Sequence, residues 1–413
     1  MLEKKEKKIA YFGFFMILYL SCSFVVCNDI ISSFMTIGLW IVTAVVLFNG
    51  FCSIRKKMFI FLLVIIICIF LTSLSFDENI KAVCSIIFSF VVTFLFVQRY
   101  SLEVFKKIYV DIMIAISVIS LVGFTLYRVF PIFYNINPVY TYEKYSNLFL
   151  YVDTQHYSRN MGLFWEPGAF QTFLNIALLI EILNDKVNLK YVSILIIAII
   201  STYSTTGYLS TLLIVSILLF KEKKDSKTKW FLALIIIACC FIIYFNQDLL
   251  FGDTLSNGQS TVFGKILNFN VTQKSSSSAS IRYYSIIKPI EAFLHSPVIG
   301  NGYENLKNIL YEYTFGMNTC TFINWFAVYG AIFGSVMLFG IIKFSKKIST
   351  GIISVLAITV FFVVTMSENY VNNPCIFIFV LYGLKQEEIR LESNSNKQLQ
   401  LWQHRKYNAS NCC

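Results

Sequence analysis

The 413-residue chain is 57% hydrophobic and only 14% charged, whereas soluble domains carry about 25% charged residues. This composition excludes an ordinary soluble enzyme and is typical of a protein that crosses a membrane many times. The net charge of +11 would fit nucleic-acid binding, but its distribution along the chain indicates membrane orientation instead.

The hydropathy pattern predicts an all-α polytopic membrane protein with about twelve transmembrane helices, since each span needs about 20 mostly apolar residues. The first apolar segment follows a basic start but precedes no A-x-A-like cleavage site, so it is interpreted as a span and not as a signal peptide. The seventh and eighth segments are short and could form one re-entrant pair instead. The predicted spans are 9–27, 30–50, 58–75, 82–98, 108–130, 169–184, 191–205, 207–220, 230–247, 319–342, 350–366 and 372–384.

Two long connections divide these spans and set the predicted organisation of the chain. The second connection has helical spacing with aromatic anchors on both sides of a serine-rich patch, which favours amphipathic helices at the membrane surface. The predicted parts are spans 1–5 (1–130), a first long external loop (131–168), spans 6–9 (169–247), a second long external loop (248–318), spans 10–12 (319–384) and a cytoplasmic tail (385–413).

Positive charge predicts which side each connection faces. When the N-terminus is placed in the cytoplasm and the spans alternate, most of the 34 Lys and Arg residues fall in the inside segments. This asymmetry is expected for a membrane protein with both termini in the cytoplasm. It also accounts for the net charge without nucleic acid, because basic cytoplasmic segments face anionic lipid.

Familiar cofactor and metal motifs are absent from the sequence. The eleven cysteines are scattered, mostly in apolar runs, and the three histidines lie far apart. The sequence contains no P-loop, no G-x-G-x-x-G after a strand, no D-x-D and no H-E-x-x-H. No cofactor and no metal site are therefore expected, and a cytosolic nucleotide enzyme is not supported.

One stretch, "RNMGLFWEPG", places Arg159 and Glu166 at the entrance of the sixth span. Charges at such positions are costly and usually functional. There are structural alternatives: with Pro167 in the first turn, Glu166 could be an acid at a helix N-terminus, and Arg159 could anchor to lipid headgroups.

Other polar residues on the same predicted side complete a candidate site. Arg282 begins a predicted amphipathic helix of the second loop, and "HSPVIGNGYENL" is a turn-rich segment. The alternatives are that its glycines form a plain turn and that the histidines are solvated. The further candidate substrate-binding residues are His156, Gly168, His295, Gly300, Gly302, Asn305, Asn318 and Glu368.

Four segments together resemble the Wzy-type polysaccharide polymerases of the O-antigen polymerase and ligase superfamily. "RNMGLFWEPGAFQTFL" resembles the family's R-x-x-G-x-F-x-E-P-G signature. "YSTTGYLSTLL", "PVIGNGYEN" and "NTCTFINWFAVYGAIFG" resemble its Ser/Thr-Gly span, its loop of P, two aliphatic residues and G-x-G, and its asparagine- and glycine-containing span. The order of the segments matches, and the resemblance covers about 150–340.

The chain departs from the family pattern at two places. Many relatives carry an arginine in the serine-rich span, where this chain has Thr206, Gly207 and Tyr208. Ligases have a histidine beside the asparagine before the tenth span, where this chain reads Met317-Asn318. The second difference puts a histidine base in doubt and favours a polymerase.

The resemblance implies a glycosyltransferase of the bacterial cytoplasmic membrane that joins polyprenyl-diphosphate-linked oligosaccharide repeat units on the outer face, in surface polysaccharide synthesis. Arg159 and Arg282 would stabilise the leaving diphosphate without a metal, and Glu166 would take the proton of the attacking hydroxyl or orient the acceptor. Direct attack would invert the anomeric centre. Its expected partners are the lipid-linked oligosaccharide, membrane lipid, a chain-length regulator and a flippase, and not nucleic acid.

Three other interpretations stay open at this point. An O-antigen ligase-like transferase would differ only in the acceptor. A twelve-span flippase of lipid-linked oligosaccharide would fit the number of spans, but it predicts charges within the spans and short loops. A non-catalytic membrane module would leave the arginine and glutamate cluster without a purpose.

Overall fold

The computed structural model of the chain describes residues 4–27, 33–49, 55–130, 139–141, 144–146, 151–153, 159–220, 278–314 and 316–386. Within these ranges, the first helices are α1 (Lys4–Cys22), α2 (Phe24–Cys27), α3 (Ser33–Phe48), α4 (Lys56–Ser75), α5 (Ile80–Arg99) and α6 (Leu102–Val129). The next are α7 (Pro167–Leu183), α8 (Leu189–Ser201) and α9 (Thr205–Phe220). The last are α10 (Ser278–His295), α11 (Tyr303–Thr314), α12 (Thr321–Ile348), α13 (Gly351–Thr365) and α14 (Pro374–Leu384).

The described residues are predominantly helical, as predicted, and a small sheet in the first long loop is the exception. Strands β1 (Val139–Thr141), β2 (Lys144–Ser146) and β3 (Tyr151–Asp153) pair antiparallel in the order β1-β2-β3. Each strand has three residues, which is too short for an alternating pattern of polar and apolar residues to stand out from the surrounding sequence.

The helices support an integral membrane protein but do not confirm twelve spans. Four described helices, α4, α5, α6 and α12, are long and apolar enough to cross a membrane. A described helix occupies every other predicted span except the ninth, 230–247, which lies outside the described residues. Several of these helices are short: α8 has 13 residues, about 20 Å of helix against a hydrocarbon core of about 30 Å.

The two short helices at 191–220 are separate, and the second long loop carries helices. A turn at 202–204 joins α8 to α9. Helix α11 buries Leu306 and Leu310 on one face while Glu304 and Lys307 stay exposed, which is the amphipathic pattern expected there. Of the two predicted helical flanks of the serine-rich patch, 281–295 lies within α10. The other, 263–270, lies outside the described residues.

Basic side chains bind carbonyl groups at one end of the helical bundle. The Arg99 guanidinium forms an ion pair with Glu6 at 2.7 Å and donates to the carbonyl oxygens of Leu47 and Asn49, both at 2.7 Å. Lys385 Nζ donates to Tyr100 O at 2.9 Å. Cations are stabilised by the unpaired carbonyl groups of helix C-termini, so this basic end joins α1, α3, α5 and α14.

Helix α14 connects the basic end to the opposite end of the bundle. At its N-terminus the Asn373 side chain accepts hydrogen bonds from Cys375 N and Ile376 N, and its amide donates to Ser21 O at the end of α1. At its C-terminus is Lys385, which contacts the basic end. Side chains near Asn373 therefore lie at the end of the bundle away from Arg99.

Glycines allow α14 to lie directly against α12. A Cβ atom built on Gly383 would lie 1.9 Å from Gly340 O, and one on Gly340 would lie 2.4 Å from Val380 Cγ1. Small residues at such crossings let helix backbones approach closely, which is how helices associate in membranes. Gly340 and Gly383 are therefore required by the close contact between α12 and α14, and not by a turn.

Helix α12 is broken at Gly330, and a loop fills the break. Gly330 has φ 80° and ψ −179°, a conformation that favours glycine. The loop 297–302 supplies partners there: Asn301 N donates to Ala327 O at 2.8 Å, and Ala331 N donates to Pro297 O at 2.8 Å. The exchanged hydrogen bonds satisfy backbone groups that the break would leave unpaired.

The α12–α14 contact can be tested by one methyl group. Gly383→Ala forces the two backbones apart, and such overpacking destabilises by about 1–3 kcal/mol. Gly38→Ala is the matched control, because a Cβ there meets nothing within 4 Å. We expect a lower melting temperature in detergent for Gly383→Ala and an unchanged one for Gly38→Ala. Equal melting temperatures for both variants would contradict the packing described.

Candidate active site

The turn before α7 is fixed by one buried asparagine. Asn160 is 2% exposed, and its amide nitrogen donates to Ser201 Oγ at 2.9 Å and to Ser120 Oγ at 3.2 Å. Its side-chain oxygen accepts from Gly162 N at 3.0 Å, and Gly162 has φ 54°. The stretch that carries Arg159 and Glu166 is thus attached to α6 and α8 before it enters α7.

Glu166 occupies the N-cap position of α7, with Pro167 in the first turn as expected. Its side chain forms no capping hydrogen bond. The carboxyl group is instead hydrogen-bonded to the carboxyl group of Glu368, which lies between α13 and α14. Two residues that are distant in sequence therefore form a carboxyl pair.

The two carboxyl groups of the pair lie directly against Gly168. A Cβ atom on Gly168 would lie 2.3 Å from Glu368 Oε1 and 2.9 Å from Glu166 Oε1. Because Gly168 has an ordinary helical backbone, its value here is the space it leaves for the two carboxyl groups. Any larger residue would have to separate the pair.

The backbone around Glu368 is held by the start of α12. Thr321 Oγ1 donates to Glu368 O at 2.8 Å and accepts from Tyr370 N at 2.9 Å. Thr321 is fully buried. A single hydroxyl group thus fixes the loop on both sides of Asn369, the residue between the two bonded backbone groups.

Both arginines of the candidate site bind the junction between α8 and α9. Arg159 Nε donates to Thr202 O at 3.0 Å, and Arg282 Nη1 donates to Thr206 Oγ1 at 3.3 Å. Arg159 is half-buried, whereas Arg282 is exposed at the first turns of α10. The Ser/Thr-rich segment therefore positions the two cations, a role that the sequence did not reveal for Thr202 and Thr206.

The ionisable groups of the site shift the pKa values of Glu368 and Arg159. Burial raises the pKa of the Glu368 carboxyl well above its usual range, and the neighbouring Glu166 raises it further, while Arg282 and Arg159 oppose the shift. Burial also lowers the pKa of the Arg159 guanidinium, against the attraction of Glu166 and Glu368. Arginine nevertheless stays charged in proteins.

Buried polar side chains join the two chain segments that carry the carboxyl pair. Gln171 Nε2 donates to Gly168 O at 3.0 Å and to Ser367 Oγ at 3.2 Å, and Thr172 Oγ1 donates to Val364 O at 3.0 Å. These bonds join α7 to the end of α13, so the two chain segments that carry Glu166 and Glu368 are fixed relative to each other.

An open cleft of about 380 Å³ lies beside the carboxyl pair. Its walls are mostly uncharged polar and aromatic side chains, with Glu368 as the acid among them. The lining residues are Ser21, Trp165, Tyr303, Asn318, Glu368, Asn369, Val371, Asn372 and Asn373.

The remaining predicted site residues lie in other places. Gly300 and Gly302 have φ 82° and 77°, and a Cβ on Gly300 would lie 2.2 Å from Val328 O, so the loop 297–302 contacts the break in α12. Asn305 is exposed on α11. His295 lines a separate cavity of about 280 Å³ between α10 and α11. His156 lies outside the described residues.

The structure thus brings together Arg159, Glu166, Gly168, Arg282 and Glu368, and it places Asn318 on the adjoining cleft. No group of three or more His, Cys, Asp or Glu side chains that could hold a metal ion occurs among the described residues. The arrangement offers two cations, a proton-binding carboxyl pair and an uncharged cleft.

Comparison with known proteins adds a family match for part of the chain. Residues 191–322 match the family model described as O-antigen ligase, a range that includes Arg282 and Asn318 but not Arg159, Glu166 or Glu368. No curated protein matches the chain. The match supports membrane glycan processing of the O-antigen ligase and polymerase type. Residues 191–322 of this integral membrane protein are therefore similar to the O-antigen ligase family, which is consistent with the O-antigen polymerase and ligase superfamily.

Proposed function

We propose that this protein is a polysaccharide polymerase that joins polyprenyl-diphosphate-linked oligosaccharide repeat units on the outer face of the bacterial cytoplasmic membrane. The observation that supports this most strongly is the meeting of two arginines and a carboxyl pair beside an open cleft, at the end of the bundle away from Arg99. An enzyme on that face has no nucleotide sugar, so its donor must bring its own leaving group.

The two arginines suit a diphosphate leaving group. When the bond between the anomeric carbon and the diphosphate oxygen breaks, the electron pair stays on the diphosphate and its negative charge grows. Arg159 and Arg282 are positioned cations that stabilise this charge, and a guanidinium can donate two parallel hydrogen bonds to a phosphate. Exposed Arg282 can reach a ligand, while half-buried Arg159 is held in place by Thr202 O.

The carboxyl pair suits the acceptor half of the reaction. Burial and the neighbouring Glu166 raise the pKa of the Glu368 carboxyl well above its usual range, which favours its protonated form. The attacking hydroxyl forms its bond to the anomeric carbon and gives its proton to the pair, with Glu166 as the accepting base. Attack opposite the departing diphosphate inverts the anomeric centre.

A ligase stays the second candidate, since the family match carries that description. The residue before Asn318 is Met317, which is exposed, where ligases have a histidine. A site whose base is a carboxyl pair does not need that histidine, and this favours the polymerase.

Substitutions of Arg159 test its contact with the diphosphate. Arg159→Lys keeps the charge but loses the planar donor fork, so it should fail to restore what Arg159→Ala loses. A charge-assisted hydrogen bond contributes roughly 1.5–3 kcal/mol, which corresponds to a loss of about ten- to hundredfold in turnover. The measurement is the chain-length ladder made from lipid-linked repeat units by purified protein.

The control for that experiment is Arg128→Lys. Arg128 lies at the end of α6 with its guanidinium 4.4 Å from the centre of the Phe124 ring, and it should tolerate lysine. A normal ladder from Arg159→Lys, at equal protein levels, would rule out a bidentate phosphate contact.

The stability of the protein should depend on pH through Glu368. Because the pKa of Glu368 is raised in the folded protein, folding is favoured while Glu368 keeps its proton. That stability is present below the ordinary glutamate pKa of about 4.3 and is lost as pH rises through the raised value. Glu368→Gln cannot ionise, so its melting temperature should rise relative to wild type as the pH increases.

Melting temperatures of both proteins in detergent between acidic and alkaline pH provide the measurement. Glu291→Gln is the control, because Glu291 pairs with Lys288 on α10 and is not part of the carboxyl pair. A constant difference between Glu368→Gln and wild type at every pH would show that Glu368 is not protonated in the folded protein.

A further inference from the structure

The cleft beside the carboxyl pair differs chemically from the arginine side of the site. Its lining includes four asparagines, one serine and two aromatic residues, and no lysine or arginine is among its described lining residues. A diphosphate would find no cation there. An uncharged ligand with many hydroxyl groups fits such a surface better, because amides can bond with hydroxyls without the desolvation of a charge.

Three of the asparagines have their side-chain oxygens engaged by the protein. Asn318 Oδ1 accepts from Asn324 Nδ2 at 2.9 Å, and Asn369 Oδ1 accepts from Val371 N at 3.2 Å. Asn372 Oδ1 accepts from Tyr329 Oη at 2.7 Å. Among the described residues, none accepts a hydrogen bond from these three amide nitrogens, so each amide is oriented by its oxygen and keeps donors for a ligand.

Asn373, the fourth asparagine, provides a contrast within the same cleft. Its oxygen caps α14 and its nitrogen donates to Ser21 O. Its side-chain oxygen and nitrogen are therefore both used in hydrogen bonds that stabilise the fold. The donor capacity of the cleft belongs to Asn318, Asn369 and Asn372.

Aromatic rings and one acid complete the cleft. Trp165 is held by an edge contact with Tyr370, at 5.9 Å between ring centroids, and Tyr303 is a further aromatic residue of the lining. Aromatic side chains offer an apolar body with a polar tip, which suits a ring with apolar and hydroxyl-bearing sides. Glu368 belongs both to the lining and to the carboxyl pair, so a ligand hydroxyl in the cleft can reach the base.

We infer that this asparagine-lined cleft is the subsite for the accepting sugar, a neutral hydroxyl-bearing ring at the end of the incoming lipid-linked glycan, and that Asn369 and Asn372 select it. This inference rests on the proposed function. In the reaction, the O–H bond of the acceptor breaks, its proton enters the Glu166–Glu368 pair, and the oxygen forms the new bond to the anomeric carbon of the donor. The electron pair of the broken carbon–oxygen bond leaves with the diphosphate.

The test measures binding and not turnover, so that it separates this inference from the proposed function. The sugar probe is the free oligosaccharide repeat unit, released from the lipid-linked pool of the producing cells by mild acid. The second probe is a polyprenyl diphosphate without sugar. Dissociation constants of both for the purified full-length protein are measured by ligand-observed NMR titration.

Each aspartate variant loses the amide N–H donors of the asparagine but keeps the side-chain oxygen that accepts a hydrogen bond within the protein. Asn369→Asp and Asn372→Asp retain the acceptor for Val371 N and for Tyr329 Oη. Each should weaken oligosaccharide binding by about three- to tenfold, the loss expected for one neutral hydrogen bond. Because aspartate adds charge, Asn369→Ala provides a neutral variant, which also lacks the acceptor for Val371 N and should show at least the same loss.

Asn188→Asp is the matched control, since Asn188 caps α8 by accepting from Lys190 N at 3.1 Å and aspartate can do the same. It should leave both dissociation constants unchanged. The cleft variants should leave polyprenyl diphosphate binding unchanged as well.

Three results would overturn the subsite: no oligosaccharide binding to the wild-type protein, unchanged binding in both aspartate variants and Asn369→Ala, or an equal loss for both probes. A normal polymerisation ladder from Arg159→Ala, together with oligosaccharide binding that depends on Asn369 and Asn372, would instead refute the proposed mechanism and leave the sugar subsite standing.

Discussion

The hydrogen bond between the carboxyl groups of Glu166 and Glu368 is the interaction on which the rest of the site depends. Two acids in contact repel unless they share a proton or lie near positive charge. Here both conditions are met, because burial favours the protonated form of Glu368 and two arginines lie within electrostatic reach. The pair also requires Gly168, whose missing side chain gives both carboxyl groups their space.

The scaffold explains how four ionisable side chains from distant parts of the chain meet. Asn160 fixes the turn that carries Arg159 and Glu166, Thr321 fixes the loop that carries Glu368, and the α8–α9 junction binds both arginines. Helices α7 and α13 are joined below by Gln171 and Thr172. Each functional side chain, or the backbone that carries it, is thus held by a hydrogen bond within the protein, as a preorganised site requires.

The sequence predicted the charges of the site better than it predicted their surroundings. Arg159, Glu166, Arg282 and Glu368 could be found because ionisable residues are rare and conspicuous beside apolar segments. Thr202, Thr206 and Asn372 could not, since Ser, Thr and Asn are common at helix ends and their hydrogen bonds depend on the tertiary structure. The break at Gly330 was equally hidden, because a single glycine in an apolar helix is unremarkable until its backbone angles are known.

Helix positions were predictable from hydropathy, whereas the number of membrane spans is not confirmed. A described helix lies at each predicted span outside 230–247, but only four are long and apolar enough to cross a bilayer. Short helices such as α7 and α14 are almost entirely buried against neighbours, and burial within a bundle gives the same apolar signal as burial in lipid. Gly300 and Gly302, expected at a substrate, contact α12 and the α4–α5 turn instead.

The central claim is that a lipid diphosphate binds between Arg159 and Arg282, beside the carboxyl pair. The most direct measurement is a cryo-electron microscopy map of the purified full-length protein with a polyprenyl diphosphate bound. The account predicts phosphate density in contact with both guanidinium groups, next to the cleft lined by Asn369 and Asn372. Phosphate density at the opposite end of the bundle, around Arg99 and Lys385, with none between Arg159 and Arg282, would contradict it.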